Sequence, residues 1–287
     1  MTKVIGIDIG GSITKIVGFN NTDMLSPTLV KSADPLASVY GALGKFLSMN
    51  KLSLSDISQV MITGVGASFI TENLYGIPTG KVDEFMATSM GGLFLSGLSK
   101  AIIVSMGTGT AFALAEGSNV EHIGGTGVGG GTLLGLSNMM LNIRNFDDLI
   151  EIAKDGNLSN IDLSINDVTK DIFETLPHDL TAANFGKVSD LASKADAALG
   201  IINLVFETIG MLSVFATQIS KTKDVVLTGQ LANVPQGERV FNILSKLYWI
   251  KFHISENAKY ATAVGAAITF LNEMEFNKIL GWNIRLG

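Results

Sequence analysis

The sequence predicts an α/β protein made of two similar halves. Segments typical of strands and of helices alternate along the chain, and each half opens with three strands before its first helix. Each half also contains an apolar strand that breaks into glycines, "GIDIGGSIT" in the first half and "IVSMGTGTAFAL" in the second. We therefore predict a duplicated unit, with the boundary between its copies at residues 97–100.

The first half is the simpler of the two. Runs of apolar residues bounded by polar or glycine positions predict strands at 3–9, 13–19, 28–32, 57–63 and 77–82. Longer segments without such breaks predict helices at 35–49, 67–74 and 84–97. These elements make up the first predicted subdomain, residues 1–98.

The second half repeats the order and is longer. Its predicted strands are 101–106, 110–115, 120–124 and 224–228. Its predicted helices are 131–142, 146–154, 197–220, 237–247 and 259–272. A polar stretch, "KDGNLSNIDLSINDVTKD", receives no element. The second predicted subdomain is residues 99–273, and the tail 274–287 has no assigned role.

Composition narrows the class of protein. The chain has 287 residues, of which 47% are hydrophobic, and a net charge of −6 without long basic runs. A large core is therefore expected, while nucleic acid and anionic membranes are not expected as partners. Cysteine is absent, which excludes disulfides and thiolate chemistry. With no signal-peptide pattern after Lys3, we expect a cytoplasmic protein.

One apolar segment has two interpretations, a membrane span and a buried helix. Residues 197–220 are long enough to cross a membrane, but Asn203, Glu207 and Gln218 interrupt them. We therefore predict a buried helix. Because its apolar residues run nearly all round, it needs to be covered by the core or by a second subunit.

The glycine turns that follow the first strand of each half predict a phosphate site. Glycine lets backbone N–H groups approach an oxyanion closely, and hydroxyl side chains add further donors. Two facing turns of this kind imply a nucleoside triphosphate in the cleft between the halves. The residues assigned to it are Gly10, Gly11, Ser12, Gly107, Thr108, Gly109 and Thr110.

Asp8 and Lys15 flank the first of these turns. A carboxylate at the end of a strand is placed to orient Mg²⁺ directly or through its waters. Lys15 can reach a phosphate or Asp8 itself. The alternative is a plain β-hairpin in which Asp8 is a turn residue and Lys15 faces solvent.

A third glycine cluster, "GGTGVGGGTLLGL" at 124–136, ends a strand and opens a helix. Helix N-termini attract anions, so we assign phosphate contacts here, although a structural role is the alternative. The cluster lacks the Gly-Lys-Ser/Thr ending of a Walker A loop. A fourth turn, "VVLTGQLA", is placed to flank the nucleoside. The assigned residues are Gly127, Gly129, Gly130, Gly131 and Gly229.

Several of these motifs together resemble the type II pantothenate kinases. "GIDIGGSITKIV", "VDEF", "MGTGTAF", "GGTGVGGGTLLGL", "DLTAANFGKV" and "VVLTGQL" occur in that family's order, over residues 3–271. The resemblance implies a duplicated actin-like (ribonuclease H-like) fold, with the nucleotide in the cleft between two subdomains. It also implies a homodimer, and transfer of a phosphoryl group from ATP to pantothenate with Mg²⁺. Coenzyme A or an acyl-CoA is a possible feedback ligand.

The same resemblance assigns the general base to Glu84. A primary hydroxyl needs a carboxylate within reach to accept its proton as the oxygen attacks phosphorus. Taken alone, Asp83 and Glu84 are equally explained as acidic residues at the start of a helix. With the resemblance, Glu84 is the predicted base and Asp83 the capping residue.

The substrate site is where this sequence departs from the family. His122 stands where the family has an arginine, and Val65 replaces a glycine of a turn beside the acyl pocket. The resemblance assigns substrate contacts to His122, Gly125, Thr126, Gly66 and Ala67. Two alternatives therefore stay open, a kinase of another hydroxyl compound such as a sugar, and a non-catalytic sensor of nucleotide or acyl-CoA.

Overall fold

The computed structural model describes residues 2–11, 13–31, 34–169 and 180–271. Ser12 of the first glycine turn lies outside the described residues, as does the tail 274–287.

The first sheet is built around the strand that ends at Asp8. Its six strands are β1 (Lys3–Ile9), β2 (Ile13–Asn20), β3 (Asp23–Met24), β4 (Thr28–Lys31), β5 (Gln59–Thr63) and β6 (Thr79–Lys81). β1 pairs antiparallel with β2 and parallel with β5, while β4 pairs with the other side of β2. The antiparallel register puts Asp8 opposite Lys15.

The second sheet repeats the arrangement. Its early strands are β7 (Lys100–Met106), β8 (Thr110–Glu116) and β9 (Asn119–Thr126). A separate two-stranded ladder follows, β10 (Leu163–Ser164) with β11 (Thr181–Ala183). The sheet is completed by β12 (Asp224–Thr228) and β13 (Lys251–Ile254). β7 pairs antiparallel with β8 and parallel with β12, as β1 does with β2 and β5.

Eight α-helices occur in the described part of the chain. They are α1 (Pro35–Met49), α2 (Glu84–Ser96), α3 (Gly130–Leu141), α4 (Phe146–Ile152), α5 (Ile165–Val168), α6 (Lys194–Ser220), α7 (Pro235–Tyr248) and α8 (Ala261–Ile268).

The helix predicted at 67–74 is wrong. A 3-10 turn covers Val65–Phe69, and the backbone becomes extended at Ile70. Beyond it, Tyr75 and Gly76 both take positive φ in a tight turn that a helix cannot contain. The strands β3, β10, β11 and β13 were not predicted, because each is only two to four residues long and is defined by its pairing partner.

Helices α2 and α8 each pack on the sheet of the other half of the chain. α2 precedes the boundary predicted at 97–100, yet its Leu93 packs with Ile103 and Val226 of the second sheet. α8 comes last in the chain, yet its Val264 packs with Val4 of the first sheet. Helix α1 covers the outer face of the first sheet, and α6 and α7 cover the second. The two sheets therefore enclose an α2–α8 layer.

Helix α6 is the segment with two possible interpretations in the sequence. By length and composition it could cross a membrane, but 61% of its most apolar window is buried inside the protein. Its Asn203 donates to Asp162 Oδ2 at 2.8 Å, and Glu207 accepts from Thr181 Oγ1 at 2.6 Å. Two of the three polar interruptions, Asn203 and Glu207, are thus hydrogen-bonded to neighbouring segments of the same chain, while Gln218 is exposed. Its contacts are those of a core helix.

Candidate active site

A cleft of about 1200 Å³ lies between the two halves of the molecule. Most residues predicted for the site contribute to its wall, and Gly66, Ala67, His122, Gly127 and Gly129 do not. The predicted residues in the wall are Asp8, Gly10, Gly11, Lys15, Glu84, Gly107, Thr108, Gly109, Thr110, Gly125, Thr126, Gly130, Gly131 and Gly229.

Asp8 and Lys15 form an ion pair in this wall. The Lys15 Nζ to Asp8 Oδ2 distance is 3.2 Å, and both side chains are largely buried. Gly64, which follows β5 and also lines the cleft, has φ of +88°, and a Cβ there would approach Asp8 Oδ1 to 2.7 Å. The two side chains therefore face each other inside the cleft, which a hairpin with a solvent-facing lysine would not produce.

Glu84 is the first residue of α2 and reaches the same cleft. Asp83 caps the helix, accepting from the Met86 N–H at 3.0 Å, as predicted. Glu84 keeps contact with solvent, but the cleft walls remove part of its hydration and raise its pKa above the ordinary value. The negative charge of Asp8 raises the pKa further, and Lys15 opposes it. Glu84 is thus a carboxylate electrostatically coupled to the Asp8–Lys15 pair.

The second glycine turn is hydrogen-bonded to the third glycine cluster, residues 124–136, which is called the glycine loop below. The N–H groups of Gly130 and Gly131 donate to the carbonyls of Gly107 and Thr108, both at 2.9 Å. The Thr110 hydroxyl is buried and donates to the Val128 carbonyl at 2.8 Å. We expected these amides to converge on an anion, but here they hold the two turns together. Lys15 and the Thr108 side chain remain in the wall as possible phosphate contacts.

Close backbone contact explains several of the glycines. A Cβ on Gly129 would lie 2.7 Å from the Thr108 carbonyl oxygen, and one on Gly109 would lie 2.9 Å from that of Thr126. By contrast, Gly11 and Gly127 have open space on the side where a Cβ would be. Glycine is therefore required at Gly109 and Gly129 because the two turns pack closely there, whereas Gly11 leaves room in the cleft itself.

Two of the predicted substrate positions lie behind the wall. Gly66 packs so closely against the Ile9 side chain that a Cβ would overlap it, and Ala67 is buried. Val65, from the same 3-10 turn, does reach the cleft and is exposed.

His122 lies beside the cleft, in strand β9. Its ring packs on Phe85, with 4.6 Å between ring centroids. Phe85 lines the cleft immediately after Glu84. His122 is thus one side chain removed from the wall in this structure.

The segment after α3 forms a part of the wall that the sequence did not predict. Arg144, Asn145, Phe146 and Asp147 line the cleft, together with Leu134 of α3. No spacing or motif marks these residues in the sequence, because they reach the cleft only through the fold of the α3–α4 connection.

Comparison with known proteins gives the family. The family model named Fumble matches residues 98–268. The type II pantothenate kinase of Staphylococcus aureus is 30% identical over 274 residues, covering 91% of this chain and 97% of that protein. That of Bacillus cereus is 31% identical over 241 residues, covering 78% and 81%. The chain belongs to the type II pantothenate kinase family.

Solved structures confirm the fold expected for a member of this kinase family. Component A of the (R)-2-hydroxyglutaryl-CoA dehydratase of Acidaminococcus fermentans superposes with a TM-score of 0.68 at 19% identity, covering 94% of this chain and 97% of that one. A ROK family glucokinase from Streptomyces griseus superposes with a TM-score of 0.59 at 15% identity, covering 93% and 98%. The molecule has the duplicated actin-like α/β fold.

Proposed function

We propose that this protein transfers the γ-phosphoryl group of ATP to the terminal hydroxyl of pantothenate, in the cytoplasm. The observation that carries the proposal is the position of Glu84, a carboxylate of raised pKa in one cleft with the Asp8–Lys15 pair and both glycine turns. The names of the relatives at about 30% identity support pantothenate as the substrate.

The proposed reaction needs one general base and a group of side chains that hold the phosphates and neutralise their charge. The hydroxyl oxygen of the substrate attacks the γ-phosphorus, and the bond from that phosphorus to the oxygen of the ADP leaving group breaks. The proton of the hydroxyl passes to the Glu84 carboxylate. Lys15 and the Thr108 hydroxyl hold the phosphate oxygens, so that positioning and charge neutralisation supply the rest.

The Asp8 carboxylate fits the role of a ligand to a Mg²⁺ ion that also binds the phosphates. In the described residues there is no group of three His, Asp or Glu able to hold a metal ion by themselves. Mg²⁺ commonly binds through one or two carboxylates, phosphate oxygens and water, and Asp8 supplies one carboxylate in the wall. When bound there, the ion would neutralise charge that develops on the phosphates.

A coupled ADP-release assay tests the proposal. Pantothenate and a panel of sugars are offered with Mg-ATP, and we expect ADP release that depends on pantothenate. A response to a sugar would favour the second candidate, which the structural similarity to a glucokinase solved with glucose and AMPPNP supports. ATP binding with no turnover on any compound would favour a sensor.

Asp8→Asn should raise the Mg²⁺ concentration that gives half-maximal rate by about tenfold or more. The substitution removes the carboxylate charge and leaves Lys15 without its partner. A Mg²⁺ titration at fixed ATP, together with Mn²⁺ binding in the presence of a non-hydrolysable ATP analogue, measures the effect. Asp23→Asn, at an exposed position of β3, is the control. An unchanged titration would return Asp8 to the role of a turn residue.

His122→Arg should lower the KM for pantothenate and leave the KM for ATP unchanged. Arginine is longer than histidine, carries a permanent charge and offers several fixed donors, so it can pass Phe85 and reach the substrate. The control is His253→Arg. His253 lies in the edge strand β13 of the second sheet, where its Nε2 is 2.8 Å from Asp224 Oδ1, and it does not line the cleft. If arginine instead raises the KM for pantothenate, the pocket is built for a different substrate.

We also propose a homodimer formed through α6. Phe215 and Ile219 are apolar residues exposed on the last two turns of this helix, at positions four residues apart that share one face. Phe215→Asp should convert a dimer to a monomer in light scattering, because it places a charge in an apolar interface. Met139→Asp, at an exposed position of α3, should leave the dimer intact. A monomeric wild type would contradict the proposal.

A further inference from the structure

The two halves of the molecule present different side chains to the cleft at equivalent positions. Asp8 and Lys15 are directly opposite each other where β1 and β2 approach the first glycine turn. Where β7 and β8 approach the second turn, the directly opposite residues are Ser105 and Ala111. All four line the cleft. The first half therefore presents an ion pair, whereas the second half presents two small uncharged side chains.

A second pair extends this uncharged surface along β7 and β8. Ile103 and Ala113 are directly opposite each other and also line the cleft. Because side chains alternate between the two faces of a strand, they share the sheet face of Ser105 and Ala111. Ile103 packs with Leu93 of α2, so this is the face that α2 covers. The two pairs thus form a floor beneath α2 that is apolar apart from one hydroxyl.

Helix α2 supplies the opposite wall. Phe85 and Ser89 are four residues apart, so they lie on the same side of the helix, and both line the cleft. The Phe85 ring contacts the ring of His122, which is directly opposite Ala113 in the sheet. The next turn after Ser89 packs on β7. Ser89 is therefore held over β7 and β8, between these two contacts.

Ser89 also contributes a polar atom that lacks a partner. The residue is 1% exposed, and its hydroxyl makes no hydrogen bond. A buried hydroxyl left unpaired costs free energy, which a ligand oxygen bound beside it would recover. Glu84, one residue before Phe85, places its carboxylate in the same cleft. We call this set of residues the small-residue subsite, and it consists of Phe85, Ser89, Ile103, Ser105, Ala111 and Ala113.

We propose that the small-residue subsite binds the carbon atoms next to the hydroxyl that is phosphorylated, and that it selects an alcohol whose neighbouring carbon carries methyl groups. The inference rests on the proposed function. In pantothenate the terminal CH₂OH is attached to a carbon with two methyl groups, and the following carbon carries a hydroxyl. The methyl groups pack on Ala111 and Ala113, and that second hydroxyl pairs with Ser89.

The same subsite disfavours a sugar. In a hexose the carbon next to the CH₂OH carries the ring oxygen, and the carbons beyond it carry hydroxyls. Those oxygens would lie against Ile103, Ala111 and Ala113, whose side chains offer no hydrogen bond, so they would lose their water without replacement. Ala111 and Ser89 are therefore the residues that separate the two candidate substrates.

The first test compares pantothenate with an analogue in which hydrogens replace both methyl groups. Wild type should prefer pantothenate by about tenfold or more in kcat/KM, because burial of each methyl group favours binding. Ala111→Val fills the space for a methyl group, so it should lower kcat/KM for pantothenate by about tenfold, change that for the analogue less, and remove the preference. Ala37→Val, at an exposed position of α1 outside the cleft wall, should keep the preference.

The second test concerns the hydroxyl. Ser89→Ala should raise the KM for pantothenate by about fivefold and leave the KM for ATP unchanged. Removal of an unpaired buried hydroxyl should not lower the melting temperature, so a weaker interaction with pantothenate would not come from unfolding. An unchanged KM for pantothenate in Ser89→Ala would remove Ser89 from the subsite.

Two results would overturn the subsite and leave the proposed function intact. In the first, wild type has the same kcat/KM for pantothenate and for the analogue without methyl groups. In the second, Ala111→Val lowers both values by the same factor. A folded wild type that phosphorylates a sugar and not pantothenate would defeat the subsite and the proposed function together.

Discussion

Glu84→Gln lowers the rate of pantothenate phosphorylation by about two to four orders of magnitude and leaves ATP affinity almost unchanged. Glutamine keeps the shape of the side chain but cannot accept the proton of the attacking hydroxyl. Single-turnover kinetics give the chemical rate, and calorimetry gives the ATP affinity. The exposed Glu72→Gln serves as the control, since Glu72 is not in the cleft wall.

The pH profile provides a second measurement on the same residue. A general base works in its deprotonated form, so kcat falls as pH drops through the pKa of Glu84. Because loss of hydration and the charge of Asp8 raise that pKa, the fall should begin at higher pH than for an ordinary glutamate. The acidic limb should disappear in Glu84→Gln. Weakened ATP binding in Glu84→Gln with an unchanged single-turnover rate would show that Glu84 is not the base.

Gly265→Ala is expected to lower the free energy of unfolding by about 3 kcal/mol or more, or to prevent folding. Gly265 of α8 lies where α2 crosses it, and a Cβ there would overlap the Ala87 carbonyl oxygen and come within 2.7 Å of the Gly91 nitrogen. Both neighbours are backbone atoms, so the clash is relieved only by separating the helices. Those helices connect the two sheets.

Urea denaturation measures the loss, and α1 offers a matched control. Gly44→Ala introduces the same methyl group in a helix where nothing lies within 4 Å of the new Cβ. It should raise stability by up to about 1 kcal/mol, because alanine favours a helix more than glycine does. Equal effects of the two substitutions would contradict the close crossing of α2 and α8.

The elements that sequence analysis predicted well are those whose signal is local. β1 and β2 are long apolar runs around one glycine turn, and their antiparallel register follows directly from that short connection. The same register puts Asp8 opposite Lys15, so this ion pair was accessible from the sequence. The capping role of Asp83 is likewise decided within one turn of helix.

The glycine loop shows the limit of local reasoning. A helix preceded by glycines has the amides expected of an anion site, and nothing in the loop itself reveals a competing acceptor. The carbonyls of Gly107 and Thr108 are that acceptor for Gly130 and Gly131, and they come from more than twenty residues away. Which backbone N–H groups remain free to bind a ligand therefore depends on the tertiary structure.

The sequence by itself determined the duplicated α/β pattern, the two glycine turns and the chemical types of the candidate site residues, because strand and turn preferences act over a few neighbouring residues. Only the tertiary structure decided that α2 packs on the second sheet and α8 on the first, and that Arg144 lines the cleft while His122 lies behind Phe85. These outcomes depend on packing between segments far apart in the chain, where the shape of one surface selects its partner and no single segment carries the information.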